Sequence, residues 1–237
     1  MSMVEMQRDH TSLSVFFPCY NEEQNIKTMV YSTIHTLQQI VNDYEILIIN
    51  DGSTDNTGSI ADSLSQVHPC IRALHHTKNK GYGSTLITGF TNAIKEWVFF
   101  TDGDNQFDIF EIKKLLVHRD HYNAIIGYRA KRQDPLHRII FSKMWNALIR
   151  CLFDLNIKDV NCAFKLIRRN LLEKLTLSSS GAVINTELLI KIKQQGEKIK
   201  EVAVSHKPRE YGHPTGGNPK VILRAFSELI MLYRSMK

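Results

Sequence analysis

Residues 97–108 read WVFFTDGDNQFD, an apolar and aromatic run followed without a break by acids and amides. A short, wholly apolar run of this kind suits a strand buried on both faces, as in a parallel sheet covered by helices. A strand alternates its faces, so an extended backbone carried past Phe100 would aim Asp102, Asp104 and Gln106 the same way, out of its carboxyl end. Two carboxylates and an amide are hard oxygen donors suited to Mg2+ or Mn2+, cations that keep positions open for water and substrate phosphate. The same letters also spell a solvated turn, and the neighbouring stretches decide between the two.

Upstream, LSVFFP (13–18) is another apolar run, ended by proline, and a helix is expected from Glu22 to Val41 with Asn21 as its cap. YEILIIN (44–50) repeats the pattern, closed by DGSTDNTGS, where Asp55 or Thr54 can cap a helix reaching Val67. CIRALHH (70–76) reads as a weaker third strand, and NKGYGSTLITGF (79–90) opens a helix expected to reach Lys95. Downstream, NAIIGYR (123–129) and KIKEVAVSHKPR (198–209) supply further strands, KDVNCAFKLIRR (158–169) a turn entering a strand, and TELLIKIKQQG (186–196) a helix ended by Gly196. Strands alternating with helices predict a mostly parallel α/β sheet with helices on both faces. Ligands of such sheets bind outside the carboxyl ends of the strands. The clusters at 18–22, 51–55 and 102–106 all follow strand ends and are expected to meet in one crevice.

The 237 residues suit one domain, residues 1–217, with a C-terminal extension, residues 218–237, that reads as an amphipathic helix with four Lys/Arg and one Glu. No run approaches 18 apolar residues, and the first eleven residues hold no apolar segment of a secretory signal, so cytoplasmic residence is the expectation. Cys19, Cys70, Cys151 and Cys162 lack metal-ligand spacing and are expected to be reduced, small buried residues. A net charge of +6 suits an anionic partner. Five Lys/Arg lie between Tyr128 and Lys143, yet no nucleic-acid motif accompanies them, and no nucleic-acid partner is expected.

The glycines of NKGYGSTLITG do not match a dinucleotide fingerprint, because Leu86 stands where the third is required; they permit either close approach of a nucleotide or an eased strand-to-helix turn. Neither a GxxxxGK[ST] phosphate loop nor a GxSxG elbow is present. Arg129 and Arg138 flank a loop near the crevice and are candidates for gripping phosphate in a bidentate fork. Between Arg138 and Phe153 a broad helical stripe runs through Ile140, Met144, Trp145, Leu148, Ile149, Leu152 and Phe153, suited to a core or to a membrane surface. His206 and Arg209 precede PTGGNP (214–219), which reads as a lid or a connector.

Four segments in this order and spacing, FPCYNEEQNI, IINDGSTDNT, NKGYGSTLITG and TDGDNQFD, resemble family 2 glycosyltransferases of GT-A fold. IGYR (126–129), DVNCAFKLIRR (159–169) and EVAVSHKPREYG (201–212) narrow the resemblance to the dolichyl- or polyprenyl-phosphate sugar synthase branch, and it extends from Leu13 to Gly217. It implies a Rossmann-like sheet, a nucleoside-diphosphate sugar donor and a polyprenyl (dolichyl-type) phosphate acceptor. Pro18, Tyr20, Glu22 and Asp51 match positions that hold the base and ribose, and Gly81 and Gly83 the turn beside the nucleoside. Asp102, Asp104 and Gln106 match the site of Mg2+ or Mn2+ and diphosphate; Arg129 and Arg138 match residues for the acceptor phosphate, and Lys165 and Arg209 phosphate-neutralising positions. Unlike many members the chain shows no C-terminal membrane span, Ala163 replaces a usual glycine, and the QxxRW mark of processive polysaccharide synthases is absent.

The implied reaction is inverting transfer of one sugar, with the acceptor phosphate as nucleophile. A phosphate monoester is largely ionised at pH 7, its second pKa being about 6, and needs no general base. A hydroxyl acceptor would need one, with Asp159 and Glu187 the nearest candidates. Meeting a lipid requires peripheral association with the membrane's cytoplasmic face, through the helix at 138–153 and the C-terminal helix. Two other readings stay open: transfer to a soluble or protein hydroxyl, and a non-catalytic nucleotide-sugar-binding subunit tethered to a membrane-protein partner.

Overall fold

The computed structural model describes residues 9–130, 136–211 and 219–235. Seven strands form one sheet in the order β3-β2-β1-β4-β6-β5-β7. The first half alternates strand and helix: β1 (Asp9–Cys19), α1 (Ile26–Ile40), β2 (Val41–Asn50), α2 (Thr57–Val67), β3 (Ile71–His75), α3 (Tyr82–Asn92) and β4 (Trp97–Thr101). A 3-10 turn (Ile109–Glu111) and α4 (Ile112–Leu116) lead to β5 (Ala124–Arg129) and α5 (Leu136–Phe153). Then follow β6 (Phe164–Arg168), α6 (Arg169–Leu172), α7 (Ile184–Gln194), β7 (Ile199–Val204) and α8 (Pro219–Ser235).

β1 pairs parallel with β2 and β4, and β3 with β2, which aligns the carboxyl ends of the central strands. β6 enters antiparallel between β4 and β5, so its amino end, Phe164, lies opposite Thr101 at the same edge. The sheet is therefore mostly parallel, with one reversed strand.

Alternation along β1 divides the interior into two layers. Leu13, Val15 and Phe17 pack with Ile26, Val30 and Leu37 of α1, while Phe16 points to the opposite layer with Leu86, Phe90, Phe100 and Leu188. Phe16 stacks on Phe100 at 5.4 Å and meets Phe90 edge-on at 5.3 Å, tying α3 to the sheet centre. Cys19 and Cys162 are buried as expected; Cys70 is half-buried and Cys151 exposed on α5, a correction to the expectation of four buried thiols.

On the second layer α5 and α8 lie side by side. Phe226 packs against Trp145 at 5.4 Å and Phe141 at 6.4 Å, and Phe153 against Tyr233 at 5.7 Å. Leu229 and Leu232 face the core, whereas Ile140, Met144, Leu223, Ile230 and Met231 stay exposed. No helix among the described residues is long and apolar enough to cross a membrane. The expected lid at 214–219 lies outside the described residues, except for Pro219 at the start of α8.

Candidate active site

The segments after β1 and β2 meet as expected, by bonding one another. Asn21 takes a left-handed backbone (φ 58°), donates its N–H to Ser53 Oγ at 3.0 Å and accepts from the Thr54 N–H at 2.9 Å. The Glu22 N–H donates to Thr57 Oγ1 and that of Glu23 to Asp55, while Glu23 accepts from the Asn56 N–H. Asn21 is thus a tie between loops. The helix cap expected there falls instead at Asn25, whose side chain makes no capping bond, and α1 starts at Ile26. Asp55 does serve the start of α2, accepting from the Thr57 N–H at 2.9 Å.

β4 ends at Thr101, and the chain turns through Gly103 and Asn105 (φ 59°). The expectation of one continuing extended face for Asp102, Asp104 and Gln106 is corrected: a Cβ at Gly103 would stand 2.9 Å from Cys19 Sγ, so the turn folds tightly onto the end of β1. Gln106 is drawn aside, its amide donating to the Lys207 carbonyl at 2.9 Å. Asp102 and Asp104 remain together. Asp102 accepts from the Tyr82 hydroxyl at 2.9 Å, and burial, reinforced by the Asp104 charge, pushes its pKa up to about 7. Asp104 is likewise raised by burial; it accepts from the Gln106 N–H at 3.2 Å and lies 3.4 Å from Arg209.

Arg209 spans the site. Its other Nη donates to Glu22 at 2.5 Å, and Glu22 also accepts from Asn25 at 2.7 Å. Burial raises the Glu22 pKa against the pull of these partners. Two carboxylates, Glu22 and Asp104, thus share one guanidinium, while Asp102 beside them feels the more distant charges of Lys165 and Arg129. Among the described residues no group of three or more His, Cys, Asp or Glu is arranged to hold a metal. The donor set still fits Mg2+ or Mn2+, which commonly take one or two carboxylates and complete their shell with water and substrate phosphate.

Asp51 sits at the end of β2, 3% exposed. Its carboxylate accepts from the N–H groups of Lys80 and Gly81, both at 2.9 Å, and pairs with His76 Nδ1 at 2.6 Å. These bonds hold the entry to α3. Gly81 and Gly83 press on the segment at 179–181: the Gly83 N–H donates to the Ser180 carbonyl at 2.8 Å, and a Cβ at Gly83 would stand 2.1 Å from the Ser179 oxygen. The contact that demands these glycines is protein backbone. Burial and the Asp102 charge push the Tyr82 phenol well above its ordinary value, so it stays protonated and donates.

The remaining expected residues are distributed as follows. Arg129 makes a two-pronged pair with Asp159, at 2.7 and 2.8 Å. Lys165 is fully buried; its ammonium bonds the Val160 carbonyl at 3.1 Å, Asn185 Oδ1 at 3.0 Å and the Cys162 carbonyl, and burial lowers its pKa to about 8. Glu187 accepts from the N–H groups of Ser178 and Ser179 and from Lys191, bonds that hold it below the usual carboxylate range against the effect of burial. Pro18 is half-buried and Tyr20, just past the end of β1, is 40% exposed. The Arg138 side chain lies outside the described residues. Sequence reasoning missed Tyr82, Asn185 and His76. Tyr82 had a signal in its place between Gly81 and Gly83, whereas Asn185 and His76 had none.

A model of glycosyl transferase family 2 matches residues 14–176. The undecaprenyl-phosphate 4-deoxy-4-formamido-L-arabinose transferase of Proteus mirabilis is 28% identical over 202 residues, 84% of this chain and 61% of that protein. The polyprenol monophosphomannose synthase of Mycolicibacterium smegmatis is 29% identical over 211 residues, covering 84% and 78%. The chain thus spans about three fifths of the first relative's length. Among solved structures, glucosyl-3-phosphoglycerate synthase from Mycobacterium tuberculosis, in complex with Mn2+, UDP and phosphoglyceric acid, superposes with a TM-score of 0.75 at 16% identity, covering 94% of this chain and 78% of that one. At that identity the likeness establishes the shared α/β fold.

Proposed function

Since the chain belongs to glycosyl transferase family 2, we propose that it transfers a sugar, with inversion, from a nucleoside-diphosphate sugar to a polyprenyl phosphate. The observation that carries this reading is the buried Asp102 and Asp104 pair at the end of β4, where burial and the Asp104 charge hold Asp102 at about 7. A bound Mg2+ or Mn2+ would supply positive charge for the leaving diphosphate there. Asp102 and Asp104 would hold that cation, with Gln106 close enough in the chain to take part if it leaves Lys207. Arg209, already bridging Glu22 and Asp104, would turn to the diphosphate once they have another cation. Exposed Tyr20, with Pro18 and Glu22, would border the base and ribose. Asp51, Gly81, Gly83 and Lys165 would act on the donor indirectly, by holding the surrounding loops.

The acceptor phosphate would attack without a general base. Arg129, at the end of β5, and Arg138 would receive it, Arg129 oriented by Asp159. The state of the two alternative bases favours this reading over a hydroxyl acceptor. Asp159 is paired with a guanidinium, and Glu187 is fully buried, accepts several hydrogen bonds and has a lowered pKa. Both are poor proton acceptors for a sugar or protein hydroxyl. The exposed apolar side chains of α5 and α8, beside Lys143, Arg150, Arg224 and Arg234, suit peripheral contact with an anionic membrane holding the lipid.

Titration calorimetry with GDP, UDP, GDP-mannose and UDP-glucose, with and without Mn2+, tests the donor half. Mn2+-dependent binding of one nucleotide is expected; a folded protein that binds none contradicts it.

A further inference from the structure

Tyr82 is the first residue of α3, half-buried against the layer that contains Phe16 and Phe100. Its backbone is fixed on both sides. The Gly81 N–H is held by Asp51 and the Gly83 N–H by the Ser180 carbonyl. Its hydroxyl donates to Asp102 Oδ1 at 2.9 Å, and the Asn185 side chain lies near enough to the same phenol to oppose the rise in its pKa. Asn185, 3% exposed at the start of α7, accepts from Lys165 through Oδ1 at 3.0 Å. Lys165 in turn is anchored to the Val160 and Cys162 carbonyls. A line of neighbouring polar groups therefore runs from the turn before β6, through α7 and α3, to one oxygen of Asp102. Such a line has two stable uses: to satisfy its own members, or to fix the carboxylate at its end.

We propose that Tyr82 is a positioning residue, which with Asn185 and Lys165 behind it fixes the Asp102 carboxylate in the orientation that receives a divalent cation and the diphosphate. The assignment rests on the cation and donor reading given above and adds to it a residue that does not touch substrate. Asp102 follows the last residue of β4 and leads into a turn with a left-handed residue, Asn105, so it stands beyond the strand pairing that orders β4. Asp104 is braced from the other side by Arg209 and the Gln106 N–H. Among the described side-chain hydrogen bonds, that from Tyr82 is the one that braces Asp102. Groups that orient a ligating carboxylate in this way typically contribute 10–100-fold to metal affinity.

Tyr82→Phe removes the oxygen and keeps the ring. Electron paramagnetic resonance of free Mn2+, titrated in the presence of whichever of GDP or UDP the wild-type chain binds, should show about 10-fold weaker Mn2+ binding in this variant. The melting temperature in EDTA should be unchanged. Asn185→Ala leaves Asp102 and Tyr82 in place but loosens the phenol, and should weaken Mn2+ by a smaller factor; it serves as the test if Tyr82→Phe does not fold. Wild-type Mn2+ affinity in a folded variant, with the wild-type chain itself binding Mn2+, overturns the assignment while leaving the functional reading intact. A wild-type chain that binds neither nucleotide nor Mn2+ overturns both.

Discussion

A methyl group at Gly83 would collide with the backbone at Ser179, Ser180 and Gly181, none of which is the yielding end of a flexible side chain. Gly83→Ala should therefore lower stability by about 1–3 kcal/mol, read as a shifted denaturant midpoint. Lost nucleotide affinity at unchanged stability would contradict the packing account. Glu187 supports the same segment from below. Its pKa is lowered in the folded chain, so its contribution is complete above the ordinary value of 4.5 and fades as pH falls through the folded value. The stability gap between wild type and Glu187→Gln should thus be large at pH 7 and shrink below about pH 4.5. A gap independent of pH would mean that the carboxylate charge is not what the Ser178 and Ser179 N–H groups require. Residue types announced where polar groups would gather, and their roles less well. Nothing in the letters separates an Asp that meets a ligand from one that, like Asp51, meets Lys80 and Gly81, because both need an acceptor at a strand end.

At the scale of elements, β1, β2 and β4 were legible because wholly apolar runs closed by polar clusters suit buried parallel strands. The reversal of β6 was not legible. FKLIR is buried at four positions and half-buried at the fifth, and burial carries no sign of strand direction. The turn after β4 escaped for a related reason: the period of two stops where Gly103 and Asn105 bend the backbone, and a periodic extrapolation cannot see its own end. α5 and α8 were legible as apolar stripes, and the structure divides each stripe between core and surface. Leu223, Ile230 and Met231 are 70%, 53% and 61% exposed. Burying each in a lipid interface would contribute about 1.5–3 kcal/mol, and each nearby Lys or Arg about 1 kcal/mol at an anionic surface. The protein should float with anionic liposomes at low salt and partly detach at high salt. Replacing Leu223, Ile230 and Met231 together by Glu should leave it at the bottom of the gradient while its melting temperature holds. Flotation of this variant equal to wild type would exclude the α8 face as the contact.

For the whole molecule, the parallel core brings the ends of β1, β2 and β4 to one edge, and the reversed β6 brings its amino end to the same place. Acidic groups from the first half, Glu22 and Asp104, thus meet Arg209 from beyond β7. That meeting of distant halves was foreseeable in outline, since all these residues follow or precede strands; the pairing of Arg209 with Glu22 was not, because no local pattern spans 187 residues. The net charge of +6 and the exposed faces of α5 and α8 belong to the same reading, in which an anionic lipid surface presents the acceptor phosphate to the crevice. The most direct measurement is release of nucleoside diphosphate by the purified chain, given GDP-mannose or UDP-glucose, Mn2+ and a polyprenyl phosphate in anionic vesicles. Release that requires both the lipid phosphate and Mn2+, and falls at least 100-fold (about 2.7 kcal/mol of barrier) in Asp104→Ala, is the predicted result. Release that proceeds equally without the lipid phosphate, or survives Asp104→Ala, would contradict the account.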